Sequence, residues 1–201
     1  DDSATNTPLL GRYQLLERIG AGGMAELFRA RMLGAAGFEK ELVIKKVLPH
    51  LSADASFVRM LKNEARIAAG LNHVNVVSVL DFAQVDDQYF LVMEYVDGSS
   101  LQQLLSVACQ QGKRIRRSLA AWIVREVCKG LDYIHRKCDR DGRPLGIVHR
   151  DISPENVLIS REGEVKIIDF GIARAVDQAS HTRHGVVKGK GAYLSPEQLA
   201  G

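Results

Sequence analysis

The stretch His149-Arg150-Asp151-Ile152-Ser153-Pro154-Glu155-Asn156 is followed farther along the chain by Asp169-Phe170-Gly171. These two segments carry two acids and an amide, Asp151, Asn156 and Asp169, among residues that favour short turns. Short turns can direct such side chains toward one point. Because carboxylate and amide oxygens are hard ligands that suit Mg²⁺, the pattern predicts a site for Mg²⁺ and phosphate.

Composition indicates an ordinary soluble domain. The 201 residues are 46% apolar and 25% charged, which is ample for a buried core. Net charge is +3, from 27 basic and 24 acidic residues, and this near balance favours neither a nucleic-acid partner nor strong membrane attraction. We interpret the basic run 113–117 as a solvated surface, with no nucleic-acid role.

Two further features predict a cytoplasmic location. Cys109, Cys128 and Cys138 are odd in number and lack C-x-x-C spacing, so we expect packing or surface thiols in a reducing compartment, not a disulfide framework or zinc site. The polar start, residues 1–8, shows no secretory pattern, and no apolar run approaches the roughly 20 residues of a membrane-spanning helix. A membrane anchor outside this segment remains open.

Alternation and turn residues predict a sheet in the first half. The turn Gly20-Ala21-Gly22-Gly23 separates two strands of a hairpin, and a helix over 54–69 carries Glu64 on its apolar stripe. We expect Gly70 to end this helix in the left-handed conformation. Pleating puts Lys45 on the same strand face as Val43 and counts against Lys46 as the ligand-facing lysine. The predicted strands are 13–19, 26–30, 42–47, 76–83 and 89–95.

The second half reads as mostly helical. Apolar stripes predict helices over 101–108 and 119–135, and two short strands, 157–159 and 165–168, surround a turn. The predicted organisation is a disordered tail over 1–11, a small lobe over 12–96 and part of a large lobe over 97–201.

The motifs together resemble one family. Gly20-Ala21-Gly22-Gly23-Met24-Ala25-Glu26-Leu27, the strand Leu42-Val43-Ile44-Lys45 and the two opening segments match, in order, the catalytic domain of bacterial Hanks-type (eukaryotic-like) serine/threonine protein kinases. The resemblance implies an α+β, two-lobed fold, with five antiparallel strands plus one helix in the small lobe and a mostly helical large lobe. Because the family has further helices beyond Pro196-Glu197, we expect a C-terminally truncated piece, and the absence of an initiating Met also suggests a fragment.

The resemblance also implies roles for the central residues. Asp151 would be the catalytic base, Asn156 and Asp169 would hold Mg²⁺, and Lys45 would hold the phosphates of ATP while pairing with Glu64. The cofactors implied are ATP and Mg²⁺, with Mn²⁺ possible. Taken singly, the loop residues could be turn caps, and Lys45 and Glu64 could be snorkelling surface charges.

Nucleotide contacts are implied from both halves of the chain. Met93 would screen the back of the pocket, the backbone of Glu94 and Val96 would meet the adenine edge, and His149 and Phe170 would pack behind the loops. Ala25 and Leu27 replace the family's third Gly and its Val. The full implied set is Ile19, Gly20, Ala21, Gly22, Gly23, Leu27, Val43, Lys45, Met93, Glu94, Val96 and Leu158.

Two positions depart from the family pattern. Ser153 stands where a lysine usually steadies the γ-phosphate, and Lys190, within 189–197, stands where a threonine usually meets that lysine. Our hypothesis is that the two have exchanged places, so that Lys190 reaches Asp151 and the phosphate while Ser153 supplies the hydroxyl. Independent drift is the alternative.

The function implied is ATP-dependent phosphorylation of protein serine or threonine in bacterial signal transduction. The alternatives are a nucleotide-binding pseudokinase or scaffold, and an inactive fragment. Tyrosine specificity is less expected, since Pro154-Glu155 and Ser195-Pro196-Glu197 resemble the serine/threonine branch. In the resembled family, an Arg in the position of Arg150 beside the base suggests control by phosphate on a downstream loop, and contact between two kinase copies would allow autophosphorylation there. The candidate acceptors are Ser180 and Thr182, which could equally be solvated hydroxyls, and His181 and His184 are interpreted as loop residues.

Overall fold

The computed structural model describes residues 9–169 and 193–197. The chain forms two compact units. The first runs through Gly70 and resumes at Ser78–Tyr95, and the second contains Leu71–Val77 and the chain from Val96 onward. The loop 71–77 therefore belongs to the second unit, although the segments before and after it in the sequence belong to the first. The sequence-based bounds 12–96 and 97–201 stay a prediction.

One antiparallel sheet dominates the first unit. The five predicted strands are present, and a two-residue strand, β1, is added at one edge. Residues 9–10, which the sequence placed in a disordered tail, form this strand by pairing with Gln14 and Tyr13. The strands are β1 (Leu9–Leu10), β2 (Tyr13–Ala21), β3 (Ala25–Leu33), β4 (Glu39–Val47), β5 (Val79–Val85) and β6 (Gln88–Glu94), in the order β1-β2-β3-β4-β6-β5.

The glycine-rich turn is tighter than the sequence suggests. Gly20 and Ala21 pair with Leu27 and Glu26, so they belong to β2 and not to the turn. The chain reverses at residues 22–24, where the Gly22 N–H donates to the Ala25 carbonyl at 2.9 Å. The reversal therefore brings β3 back directly beside the glycines.

Two helices follow β4, namely α1 (Pro49–Ser52) and α2 (Ala55–Ala69). Asp54 caps α2, since its carboxylate accepts from the N–H groups of Ser56 and Phe57 at 2.8 and 3.2 Å. The left-handed conformation predicted for Gly70 is wrong. Gly70 has φ −83° and ψ −5°, because its N–H bonds to the Ile67 carbonyl in a tightened last turn.

The core of the first unit lies on one face of the sheet. Tyr13 and Phe90 meet edge to face with ring centroids 6.1 Å apart, a favoured aromatic geometry. Its buried members are Tyr13, Leu15, Ala30, Leu42, Ile44, Phe90 and Val92.

A polar cluster joins β2 to β5 at the edge of this core. The Tyr13 hydroxyl donates to Asp81 Oδ2 at 2.6 Å, and the Arg12 guanidinium donates to the same oxygen at 3.1 Å. Both hydrogen bonds, that of Tyr13 first, hold the pKa of Asp81 below its ordinary value. Because the folded-state pKa is lowered, this stabilisation is present above the ordinary pKa of 3.8 and is lost as pH falls below it.

Tyr13→Phe is therefore expected to lower the free energy of unfolding by about 1 to 2 kcal/mol at pH 7, since it removes a hydrogen bond to a charged acceptor. The difference from the parent protein should shrink below about pH 4, as Asp81 becomes protonated in both states. Urea unfolding at pH 7, 5 and 3.5 measures this. Tyr89→Phe is the matched control, because the Tyr89 hydroxyl has no hydrogen-bond partner in the described part of the chain. An equal loss in both variants would contradict the prediction.

The second unit combines two helices with a small sheet. The predicted helices are present as α3 (Leu101–Gln110) and α4 (Arg117–His135), and Ser100 and Gln103 form a capping box at the start of α3. The strand β7 was not predicted, because a Gly-Ser segment is more typical of a turn. The sheet consists of β7 (Gly98–Ser100), β8 (Val157–Ser160) and β9 (Val165–Ile167), in that order and antiparallel.

Close backbone packing explains Gly98 and Gly130 in this unit. A Cβ on Gly98 would lie 2.1 Å from the Ile159 carbonyl oxygen, so only glycine lets β7 approach β8. A Cβ on Gly130 would lie 2.8 Å from Ile167 Cδ1. The core that these contacts close comprises Leu71, Val76, Ile123, Val127, Ile134, Val157, Val165 and Ile167.

The three cysteines are exposed free thiols, so the surface interpretation is confirmed for all of them. Among the helices of the described ranges, none has the length and apolar character needed to cross a membrane.

Candidate active site

Lys45 lies in the middle of the first unit's sheet. Register places it beside Leu27 on β3 and Leu91 on β6. It is half-buried, whereas the preceding residue, Ile44, is fully buried on the core face. The expected ion pair between Lys45 and Glu64 falls on a side chain that lies outside the described part of the structure.

The end of β6 carries the residues expected to meet adenine. Met93 is buried. Glu94 and Ser78 bond reciprocally: the Glu94 N–H donates to the Ser78 carbonyl at 3.0 Å, and the Ser78 N–H donates to Glu94 Oε1 at 2.7 Å. Because its N–H is used within the first unit, any adenine contact by Glu94 would have to use its carbonyl oxygen.

In the second unit, His149 links the two opening sequence segments. Its Nε2 lies 2.9 Å from the Ile168 carbonyl, and its Nδ1 accepts from the Asp151 N–H at 3.3 Å. The first bond requires a proton on Nε2 and the second requires a bare Nδ1, which together define the neutral ring. The ring is 1% exposed, and this burial lowers the pKa of His149, so the neutral form is favoured. One imidazole therefore ties the backbone of Asp151 to the residue before Asp169.

Asn156 binds Asp151 directly. Its Nδ2 donates to the Asp151 backbone carbonyl at 2.8 Å and to Asp151 Oδ2 at 3.1 Å. The Ile168 N–H in turn donates to the Asn156 carbonyl at 3.0 Å. These bonds orient the amide so that Oδ1 is the acceptor left for a cation. The structure thus brings Asp151 and Asn156 together and holds the segment that leads into Asp169 against them.

Two residues of these turns have left-handed backbones. Arg150 has φ 61° and Asp169 has φ 53°, a conformation that is uncommon outside glycine. Such local strain persists where the surrounding hydrogen bonds over-determine the chain, which is typical of functional turns. The bonds of His149 and Asn156 supply that support here.

Ser153 lies inside the same turn and is 4% exposed. Its hydroxyl is buried and has no hydrogen-bond partner among the described residues. A buried unpaired hydroxyl costs free energy, so a polar partner for Ser153 would be favourable beside the Asp151 turn. Lys190, the residue expected to act with Ser153, lies outside the described part of the chain.

Sequence reasoning missed Asn75. This residue is 3% exposed, and its Nδ2 donates to the Val165 carbonyl at 2.9 Å while its own carbonyl accepts from the Ile167 N–H at 2.9 Å. Asn75 therefore forms hydrogen bonds with the first and last residues of β9, the strand that ends shortly before Asp169. The available signal was an amide side chain in the short connection between the end of α2 and the strand predicted over 76–83, to which the sequence analysis gave no role.

Asn75→Ala is expected to weaken Asp169-dependent steps more than overall folding. Loss of the Nδ2 bond leaves the Val165 carbonyl unpaired and loosens β9, so the Mg²⁺ concentration for half-maximal activity should rise about three- to tenfold. Metal titration of phosphotransfer measures this. Asn72→Ala is the matched control, because this residue is exposed and, within residues 9–169 and 193–197, bonds through its backbone N–H to the Tyr133 hydroxyl and not through its side chain. An unchanged metal requirement in a folded Asn75→Ala protein would contradict the prediction.

The side-chain oxygens near Asp151 suit a metal ion that is also bound by substrate phosphates. Within residues 9–169 and 193–197, no three His, Cys, Asp or Glu side chains are grouped to hold a metal by themselves. Mg²⁺ commonly binds through one or two protein oxygens together with substrate phosphates. Asn156 Oδ1 and the Asp169 carboxylate fit that chemistry.

The comparison with known families agrees with this geometry. A family model described as the protein kinase domain matches residues 13–201. The chain belongs to the protein kinase family. The resemblance seen in the sequence is thereby confirmed, and so is the predicted fold class.

Similar proteins include bacterial kinases of two named specificities. The tyrosine-protein kinase MasK of Myxococcus xanthus is 41% identical over 197 residues, a match that covers 96% of this chain and 30% of the relative. The serine/threonine-protein kinase PrkC of Bacillus subtilis is 36% identical over 191 residues, covering 95% of this chain and 27% of the relative. The chain spans less than a third of the length of these relatives.

Solved structures support the same fold. The kinase domain of Mycobacterium tuberculosis PknI matches with a TM-score of 0.66 and 28% sequence identity, over 83% of this chain and 62% of that one. Several expected residues lie outside the described part of the structure, namely Phe170, Gly171, Ser180, His181, Thr182, His184 and Lys190.

Proposed function

We propose that this chain is the catalytic part of an ATP-dependent protein kinase that transfers the γ-phosphate to serine or threonine hydroxyls of proteins in bacterial signal transduction. The observation that carries the proposal is the bonded pair Asp151–Asn156, held by His149 against the segment that leads into Asp169. Kinase relatives with serine/threonine names support it. A pseudokinase is not favoured, because Lys45, Asp151, Asn156 and Asp169 are all present.

Each residue has a distinct task in this proposal. Asp151 orients the substrate hydroxyl and accepts its proton, while Lys45 neutralises phosphate charge and pairs with Glu64. Asn156 Oδ1 and the Asp169 carboxylate would hold the divalent cation, which would supply positive charge to neutralise the phosphate. We favour Mg²⁺ over Mn²⁺ because both protein ligands are hard oxygens.

The nucleotide contacts in this proposal are assigned within each unit separately. In the first unit, the hairpin residues cover the phosphates through backbone N–H groups, and Val43, Met93 and the Glu94 carbonyl contact the adenine. In the second unit, the family pattern assigns Val96 and Leu158 to the adenine. The remaining contacts come from Ile19, Gly20, Ala21, Gly22, Gly23 and Leu27.

Transfer of labelled phosphate tests the function. The complete protein is incubated with γ-labelled ATP, Mg²⁺ and a generic basic protein, and the labelled amino acids are then identified. Label on serine or threonine supports the proposal, and label confined to tyrosine would instead place the chain with MasK in specificity. No transfer by a folded protein that binds ATP would overturn it. Control by phosphate on Ser180 or Thr182, and a cytoplasmic location, remain parts of the proposal.

The exchange of Ser153 and Lys190 belongs to the same proposal. The unpaired, buried hydroxyl of Ser153 supports it, because such a group favours a polar partner in the working enzyme. In this arrangement Lys190 supplies the cation near Asp151 and the phosphate, and Ser153 accepts a hydrogen bond from its ammonium group.

Lys190→Thr is expected to lower kcat about 10²-fold, because it removes the positive charge near the transferred phosphate. The double variant Ser153→Lys with Lys190→Thr restores the usual arrangement and should recover most of the activity. Steady-state phosphotransfer by the complete protein measures both. Intact activity in the single variant would reject the exchange, and the exposed Lys113→Thr serves as control.

A further inference from the structure

A groove lies on the second unit, lined by residues that the catalytic proposal does not use. It is an open surface depression with a volume of about 620 Å³. One wall is the ring of Tyr133, which stacks on His73 with centroids 4.9 Å apart and planes 20° apart. The Asn72 N–H donates to the Tyr133 hydroxyl at 2.8 Å, so this wall is held in place by the backbone of loop 71–77. The His73–Tyr133 groove, as we name it, is lined by His73, Lys129, Asp132, Tyr133, Arg136 and Lys137, with Cys138 at one end.

Positive charge dominates the His73–Tyr133 groove. Lys129 shares the carboxylate of Glu126 with Arg125, at 2.8 and 3.2 Å, so one acid serves two cations. Arg136 pairs with Asp132 at 2.8 Å, but both side chains are more than half exposed, and such pairs exchange readily with solvent or a ligand. The groove therefore carries an excess of cations over acids.

Lys137 is the cation best placed to meet a ligand. Its ammonium donates to the Tyr133 hydroxyl at 3.2 Å and lies 5.3 Å from the ring centroid. Among the described residues it has no carboxylate partner. An incoming carboxylate would pair with this charge without displacing an existing ion pair.

Helix electrostatics explain only part of this charge. Cations near the end of α4 stabilise the helix, and Arg136 serves that purpose. Lys137, one residue past the C-cap Arg136, places its ammonium group over the Tyr133 ring. The negative end of the same helix dipole disfavours a small anion at the backbone, so the side-chain cations suit carboxylates that are spaced along an extended chain.

We propose that the His73–Tyr133 groove docks an acidic segment of the protein that the kinase phosphorylates. Carboxylates of the segment pair with Lys137 and Arg136, and an aromatic or apolar side chain packs on the exposed edge of the His73–Tyr133 stack. This docking role rests on the proposed kinase function, whereas binding of an acidic peptide can be measured without phosphotransfer.

Protection of Cys138 tests the binding. The complete protein is treated with a thiol-alkylating reagent, with and without a Glu-rich peptide that carries one Phe and no Ser, Thr or Tyr. Cys138 alkylation should slow several-fold when the peptide is bound, while the exposed Cys109 and Cys128 report the unprotected rate in the same sample. The proposal is overturned if the peptide does not slow alkylation of Cys138 more than that of Cys109 and Cys128. It is also overturned if a peptide with Gln in place of Glu protects Cys138 equally well.

Matched charge removal locates the site. Fluorescence anisotropy of the labelled Glu-rich peptide should show about tenfold weaker binding for the double variant Arg136→Gln with Lys137→Gln, as expected for two exposed ion pairs. Lys113→Gln with Arg114→Gln removes the same charges from an exposed loop of the same unit and should change the affinity less than twofold. Similar losses in the two double variants would indicate non-specific attraction and reject the groove.

Substrate kinetics separate docking from catalysis. A serine peptide extended by the Glu-rich segment should show a higher KM for Arg136→Gln with Lys137→Gln at unchanged kcat, while a serine peptide without the extension should show neither change. A KM unaffected by the double variant would reject the docking role. If neither peptide is phosphorylated although the Glu-rich segment binds and protects Cys138, the kinase proposal fails and the binding site stands.

Discussion

Asp151→Asn is expected to lower kcat for phosphotransfer by about 10³-fold while ATP still binds. The general base contributes roughly 10² to 10⁴ in rate, and an amide cannot accept the substrate proton. The substitution keeps the shape of the side chain. Two hydrogen bonds use only the backbone of Asp151 and should survive the substitution. The Asp151 N–H donates to His149 Nδ1 at 3.3 Å, and the Asp151 carbonyl accepts from Asn156 Nδ2 at 2.8 Å. The turn that holds Asn156 should therefore remain in place.

Two measurements separate this chemical effect from a structural one. Steady-state phosphotransfer gives kcat, and titration with a fluorescent ATP analogue in the presence of Mg²⁺ gives nucleotide affinity, which should change less than about threefold. Asp141→Asn makes the same substitution in an exposed loop of the second unit and should leave both values unchanged. Residual activity within tenfold of the parent protein would mean that Asp151 is not the base.

The sequence predicts strands and helices well where one local pattern decides them. The apolar stripe defines α2, and alternation defines β4 around Lys45. The features that were missed have two different causes. β7 forms because Gly98 can approach Ile159, far along the chain, whereas Gly70 stays right-handed for a local reason, the bond of its N–H to the Ile67 carbonyl in a tightened last turn of α2.

The same distinction applies to the candidate site. Asp151, Asn156 and Asp169 follow from a motif, since their spacing along the chain is short and its turn chemistry is local. Asn75 does not, because its role depends on a 90-residue separation from Val165 that no local pattern encodes. The roles of Lys45 and Glu64 came from strand parity and helical spacing together with the family resemblance, and their pairing stays a prediction.

Asp169→Asn is expected to fail at a different step from Asp151→Asn, although the chemical change is the same. Loss of a charged oxygen ligand lowers the affinity for the metal, so less of the phosphate charge is neutralised. We therefore expect kcat to fall about 10³-fold and the Mg²⁺ concentration for half-maximal activity to rise by about tenfold or more. The left-handed backbone at φ 53° is no obstacle, because asparagine tolerates that conformation. The bonds of Ile168 to His149 and Asn156, at 2.9 and 3.0 Å, do not involve the substituted side chain.

Titrating the fluorescent ATP analogue at several Mg²⁺ concentrations distinguishes the two variants. Asp169→Asn should lose the part of its nucleotide affinity that depends on metal, whereas Asp151→Asn should keep it. Because Asn75 bonds to β9 through Val165 and Ile167, Asn75→Ala should show the same metal-dependent defect as Asp169→Asn at smaller size. Combining the two substitutions should add little, as expected for groups that affect one step. If Asp169→Asn keeps the Mg²⁺ dependence of the parent protein, Asp169 does not hold the cation. The proposed effect of Asn75 on metal binding, which acts through β9 and Asp169, is then rejected as well.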